Sequence, residues 1–308
     1  RTAVKRIVGL PGERVAIRDG EIYVNGELVR KSLAQLRECV QHVYDDSFRR
    51  AENEHEECLR PRWQAGGDSA WRRTESGFAF EPEAPVQSAR EDLLVFQFGR
   101  PRPPNYGGGA SPVNDAYGYN QGLNRGLNHV VDLLLTCEVD LQDQGLLIIA
   151  MHDGHRVWKC EFHPRENEIR WYQGNEQVAE APTSTPLVGD GFTLEVAICD
   201  RQVLVGINGI SELSHRLPDE ANSAAPTAEP ISISTNDRPV EIHGLRVFRD
   251  LYHLNPHYRA DDWEMEAALG TDEYFLLGDN SPNSVDSRHY GAVKRSSLVG
   301  IAMPGADR

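Results

Sequence analysis

The 308 residues carry a formal net charge of −15 and only 39% hydrophobic residues, a balance that argues against nucleic acid as a partner, because counterion release rewards basic surfaces. No stretch approaches the roughly 18 consecutive apolar residues that cross a bilayer, so the chain itself reads as soluble, and its start at Arg1 rather than Met is expected of a piece of a longer protein. The length exceeds one ordinary hydrophobic core, which implies two units or one unit with an insertion.

The first elements are short alternating apolar runs in "AVKRIVGLPGERVAIRDGEIYVNGELV", punctuated by Pro11-Gly12, Asp19-Gly20 and Asn25-Gly26. The pattern predicts a β meander, since Asp-Gly and Asn-Gly fit two-residue hairpin turns in which both central residues need positive φ. At Ser32 the period changes. Ser32 can cap a helix, Gln35 sits three residues on as in a capping box, and Leu33, Leu36, Val40 and Val43 recur at helical spacing. A charged helical or loose stretch is expected from there to about residue 75. Residues 99–128, rich in Gly, Pro and Asn and without periodicity, predict a long surface loop or linker.

From His129 to about Leu254 the alternation returns in seven or more runs, among them "FTLEVAI", where Phe192, Leu194, Val196 and Ile198 share one face and Thr193, Glu195 and Ala197 the other. This predicts an antiparallel β-sandwich at residues 129–254, packed on one side of that strand. Its strand number and length resemble concanavalin-like jelly-roll modules. Many such modules bind or cleave glycans, but no pair of Glu residues sits in a pattern that marks two catalytic carboxylates. Trp158, Trp171 and Tyr172 offer rings for stacking on sugars; inside strands they read as core. Five cysteines, Cys39, Cys58, Cys137, Cys160 and Cys199, contain no CxxC pair, which argues against zinc; whether Cys137, Cys160 and Cys199 pair or remain buried thiols is left open.

After the acidic passage "RADDWEMEAALG" comes "YFLLGDNSPNSVDSRHYGAV", residues 274–293, with more small polar and charged groups than a turn requires. Together with "VKRIVGLPGE" and "IYVNG" near the start, it resembles two boxes of the bacterial type I signal peptidases, membrane-anchored serine proteases that remove signal peptides. The resemblance implies a mainly β protein. Residues 1–30 and 266–308 would form a small catalytic core, interrupted by a helix-containing, loop-rich region at 31–128, the sandwich at 129–254 and a linker at 255–265.

The resemblance also assigns roles. Lys5 matches the general base of a Ser-Lys dyad, a variant of the serine-protease triad, and Ser284 matches the serine that positions it. Asp286 and Arg288 match a supporting ion pair, Asp279 lies beside them, and Asn280 and Ser287 complete the polar support. Gly278 and Gly291 are expected to let the backbone approach closely. An exposed ammonium is no base, so an apolar wall is expected around Lys5 from Val4, Ile7 and Val8. The role of Arg6 is left open between structure and membrane contact.

One part of the pattern is absent. The family nucleophile lies in a Ser-Met-x-Pro motif ahead of the lysine and after an N-terminal membrane anchor, but Met151, Met265 and Met303 follow Ala, Glu and Ala. The expectation is therefore a type I signal peptidase lacking nucleophile, anchor and oxyanion hole, inactive alone, with signal peptides of secretory preproteins as partners and no metal or cofactor. In the intact protein the catalytic domain would face the outer side of a membrane. The alternative is a binding module for glycan or protein on a pseudo-peptidase scaffold.

Overall fold

The computed structural model describes residues 2–48, 62–82, 92–99, 111–120, 125–142, 144–189, 191–219, 225–236 and 238–302. Contacts divide the chain into two units, one of Arg1–Arg30, Asp115–Asn128 and Leu251–Arg308, the other of Lys31–Asn114 and His129–Asp250.

The N-terminal runs form β1 (Arg6–Gly9), β2 (Val15–Arg18), β3 (Glu21–Val24) and β4 (Glu27–Leu28). Asp19, Gly20, Asn25 and Gly26 all have positive φ, as the two hairpin turns require. The meander holds for β2, β3 and β4 only, because β1 pairs elsewhere. The helix α1 (Leu33–Arg37) starts where the capping box places it, with the Ser32 side chain accepting from the Gln35 N–H and the Gln35 side chain accepting from the Ser32 N–H. It ends earlier than the apolar spacing predicts: Glu38 closes it, and Val43 lies in the next strand, β5 (Gln41–Asp45).

The stretch expected to be helical or loose up to residue 75 contains β6 (Trp63–Ala65) and β7 (Trp71–Arg73), followed by β8 (Gly77–Phe80) and β9 (Leu94–Phe96). Then come β10 (Leu133–Leu141), β11 (Leu147–His152), β12 (Val157–His163), β13 (Glu168–Gln173), β14 (Glu176–Pro182), β15 (Phe192–Cys199), β16 (Gln202–Ile207), β17 (Ile210–Arg216), β18 (Ile231–Thr235) and β19 (Val240–Arg249). One antiparallel sheet runs β17-β16-β15-β10-β19-β8-β7, with β5 also on β19; the other runs β14-β13-β12-β11-β18-β9-β6. Strands from 31–114 therefore complete the sheets expected from 129–254 alone. The separate helix-containing region and sandwich become one unit.

Its main core lies between the inner faces, with Leu135, Val196 and Val247 from one sheet and Ile149, Ile233 and Trp171 from the other. Phe192, Leu194, Val196 and Ile198 face this core as the alternation predicts. The opposite face of the same strand is covered too, because Leu33 and Leu36 of α1 pack with Leu134, Ala197, Cys199 and Leu204. Trp158 and Trp171 are fully buried, so neither ring is offered to a sugar. Cys39, Cys137, Cys160 and Cys199 are buried, and Cys137, Cys160 and Cys199 are free thiols. Burial pushes the Cys137 thiol up to about 12 and raises Cys160 and Cys199 well above the usual value. Cys58 lies outside the described residues.

The remaining elements are β20 (Trp263–Glu264), β21 (Glu273–Leu277), the four-residue α2 (Ser287–Tyr290) and β22 (Val293–Lys294). They build the other unit from two small sheets, β1-β21-β22 and β20-β2-β3-β4. Val15, Ile17, Ile22, Leu269, Phe275 and Leu277 form its core, with Val8, Trp263 and Met265 packed against it. The expected linker at 255–265 is thus part of this unit, since β20 pairs with β2. The expected loop at 99–128 is divided: Val113 is buried in the sandwich core, whereas 115–128 belongs with the chain ends.

Candidate active site

Strand pairing brings the two signature stretches together. Arg6 lies opposite Leu277 and Ile7 opposite Leu276 in the β1–β21 ladder, which sets Lys5, just before β1, beside Gly278, just after β21. Lys5 Nζ donates a hydrogen bond to Ser284 Oγ across 279 positions of sequence. Lys5 is half-buried and Ser284 buried. A Cβ at position 278 would overlap Ser284 Oγ and lie 2.7 Å from Lys5 Nζ. Only glycine leaves room for the pair.

The polar support is dense. Asp286 and Arg288 have no exposed side-chain surface and meet through Arg288 Nη2 to Asp286 Oδ2 at 2.7 Å and Nε to Oδ1 at 2.8 Å. Asp286 also accepts the Gly278 N–H at 3.0 Å, which ties the ion pair to the glycine beside Lys5. Arg288 Nη1 donates to the Leu254 carbonyl at 2.7 Å and to Ser281 Oγ at 2.9 Å. Burial alone would raise the Asp286 carboxyl, but the Arg288 guanidinium, the Gly278 N–H and Ser284 together hold it below its usual value. The Leu276 N–H donates to Ser287 Oγ at 2.9 Å.

Asp279 is bound on its side chain by Arg6, with Nε to Oδ1 at 2.8 Å and Nη2 to Oδ2 at 3.1 Å. This gives Arg6 a structural partner. Ser281, fully buried between Arg288 and the Leu254 N–H, is a site residue that sequence reading missed. Two further contacts come from the segment read as surface loop: Tyr117 Oη donates to the Asp279 carbonyl at 2.7 Å, and the Asn120 and Asn280 side-chain amides bond reciprocally at 2.6 and 2.9 Å.

Two expectations need correction. Val4 is 76% exposed and Ile7 49%, while Val8 packs into the unit core, so these side chains do not wall the amine. A Cβ at position 291 would meet nothing within 4 Å, and the φ of Gly291 is 81°, so this glycine serves to end α2 with a positive φ rather than to allow close approach.

These observations define a mainly β protein in which a lysine and a serine from opposite chain ends meet over a buried ion pair. The signal peptidase family, peptidase S26, matches residues 1–66 and 225–304, the two segments that carry this site. No curated protein matches the chain. Among solved structures, a protein of unknown function with a galectin-like fold from Bacillus subtilis is similar at 10% identity and a TM-score of 0.39, over 68% of this chain and 97% of that one. A carbohydrate-binding module, CBM66, also from Bacillus subtilis, is similar at 8% identity and a TM-score of 0.34, over 61% and 92% respectively. Sheep galectin-11 is similar at 8% identity and a TM-score of 0.29, over 38% and 89%. Among the described residues no helix is long and apolar enough to cross a membrane.

Proposed function

We propose that this chain carries the general-base half of a type I signal peptidase, a serine endopeptidase that cleaves signal peptides from secretory precursors. The observation that carries the reading is the hydrogen bond from Lys5 Nζ to Ser284 Oγ, made between the two segments that match the peptidase family. In this reading Lys5 takes the proton of a nucleophilic serine as its Oγ attacks the scissile carbonyl, then returns it to the leaving amine. Water, activated by the same amine, hydrolyses the acyl-enzyme. Ser284 aims the amine, and Gly278, Asp279, Asn280, Asp286, Ser287 and Arg288 hold Ser284 in place.

In this reading none of the 308 residues is assigned as the nucleophile, since no Ser-Met pair occurs among them. The chain alone therefore hydrolyses nothing by this route, because a base without a nucleophile is no protease. β1 is an edge strand of its sheet, immediately after Lys5, and an edge strand can take an extended peptide as an added strand.

The test joins the natural upstream coding segment to residues 1–308 and measures cleavage of a precursor carrying a signal peptide. Cleavage is expected, with Lys5→Ala abolishing it and Ser284→Ala weakening it. Full activity of the Lys5→Ala protein would remove the assignment of the base.

A further inference from the structure

The signature turn is braced from a part of the chain that the family match does not reach. Residues 115–128 lie outside 1–66 and 225–304, yet they group with the chain ends in one unit. The base of this strap is fixed by Asp115, which is 1% exposed. Its carboxylate accepts from Arg125 Nη1 at 2.8 Å and from the Asn128 N–H at 2.9 Å, and its own N–H donates to the Asn128 carbonyl at 2.9 Å. From that base the strap presents Tyr117 and Asn120 to the turn.

The turn is thereby held at three points on two successive residues. Arg6 takes the Asp279 side chain, Tyr117 Oη takes the Asp279 carbonyl, and Asn120 takes both polar ends of the Asn280 amide. Gly278 precedes these residues directly, and its backbone sits so close to the lysine and serine that even a methyl group does not fit. The 278–280 backbone cannot shift without altering the space in which the amine and hydroxyl meet. A tyrosine hydroxyl on a carbonyl and a two-bond amide pair are directional contacts that fix position as well as distance.

We infer that Tyr117 and Asn120 are positioning residues for the Lys5–Ser284 pair, acting through the backbone of Gly278, Asp279 and Asn280. The strap supplies a brace that the family-matched segments do not contain. The geometric part stands on the contacts alone; the kinetic part rests on the peptidase reading above.

Lysine is scarce in this chain, with Lys5, Lys31, Lys159 and Lys294 as its four instances, so the side-chain resonances of the full 308-residue protein labelled with ¹³C,¹⁵N-lysine report on Lys5 directly. Tyr117→Phe, which keeps the ring and removes the hydroxyl, and Asn120→Ala are each expected to move the Lys5 signal and leave those of Lys159 and Lys294 in place. Ser284→Ala is the reference, because it removes the acceptor itself. If Ser284→Ala moves the Lys5 signal and neither strap variant does, the brace is refuted while the site survives. If Ser284→Ala leaves the signal unmoved, the Lys5–Ser284 contact is itself wrong, and the peptidase reading falls with it. A strap with a purely structural role would lower the unfolding temperature in both variants without moving Lys5, which also overturns the inference. In the intact enzyme, Tyr117→Phe is expected to lower kcat about tenfold with KM unchanged, the signature of a misplaced catalytic group rather than lost binding. Unchanged kcat alongside a moved Lys5 signal would overturn the kinetic part.

Discussion

At position 278 a hydrogen stands where any other residue carries a carbon, and the space it leaves is occupied by Lys5 Nζ and Ser284 Oγ. Gly278→Ala is therefore expected to push the two apart and, on the proposed peptidase reading, to abolish precursor cleavage. The overpacking itself costs about 1–3 kcal/mol of stability, to be read from denaturant unfolding of the wild type and variant. Asp286→Asn attacks the same site from below, since it removes one partner of a fully buried ion pair and leaves Arg288 charged. A loss of about 3–5 kcal/mol is expected. The pH dependence has a definite sign: the Asp286 carboxyl is held below its usual 3.8 when folded, so its contribution is present above that value and fades as pH falls through the lower folded value. Asp286→Asn should abolish that acid-side component of the wild-type unfolding curve.

A second buried cluster, in the sandwich unit, behaves oppositely. Lys31 Nζ meets Asp200 Oδ1 at 2.6 Å and Asp250 Oδ2 at 2.9 Å, while the Asp200 N–H donates to Asp132 Oδ2 at 2.7 Å. Burial, then the Asp200 and Asp250 charges, push Asp132 up to about 7 against the opposing pull of the Asp200 N–H and Lys31. A raised folded value means stability that is complete below 3.8 and declines as pH rises through about 7. Asp132→Asn, which retains an acceptor for the Asp200 N–H, is expected to flatten that decline and to exceed the wild type in stability at about pH 8, with the gain vanishing at acid pH. Equal slopes for the two proteins across this range would count against the cluster as described.

At the scale of elements, α1 shows what makes a short helix persist. Five residues are too few for a helix to stand by propensity, so it depends on the Ser32 cap and on Leu33 and Leu36 buried against the outer face of the sheet. Ser32→Ala is expected to cost about 1 kcal/mol, and Leu36→Ala about 2–5 kcal/mol, both measured by chemical denaturation; a Leu36→Ala cost no larger than that of Ser32→Ala would mean the helix is not held by packing. The start of α1 was legible because a capping box is local chemistry. Its end was not, because Val40 and Val43 continue the helical spacing by coincidence while Val43 enters a strand that pairs with β19. Hairpins with Asp-Gly or Asn-Gly turns were legible for the same local reason. β6 to β9 were not, since strands of three or four residues offer no alternation long enough to read. The polar cluster after β21 could be read because its residues are neighbours in sequence. Its braces could not: Arg6 finds Asp279 across 273 positions, and Tyr117 and Asn120 sit in a segment whose composition signals only a loop.

At the scale of the whole molecule, the chain leaves the unit that carries the Lys5–Ser284 pair after Arg30, returns to it for residues 115–128 and comes back finally at Leu251. The sandwich is consequently built from two stretches, and neither is sufficient. Residues 129–250 supply β19 and β18 but not their neighbours β8 and β9. A fragment of those residues alone would expose two long central edges, the geometry that invites aggregation. It would also lose Trp63, Trp71, Phe80, Leu94 and Phe96, all buried in the common core. At about 2 kcal/mol for each such side chain the loss is roughly 10 kcal/mol, which is comparable to the whole stability of an ordinary domain. The fragment 129–250 is therefore expected to aggregate or to unfold without a cooperative transition, whereas 31–250 is expected to melt cooperatively when both are followed by circular dichroism. A cooperative transition in 129–250 would show that β6 to β9 only decorate the sandwich. Screening of the sandwich for glycan or protein ligands accordingly calls for 31–250, because a shorter piece would present surfaces that the folded protein keeps inside.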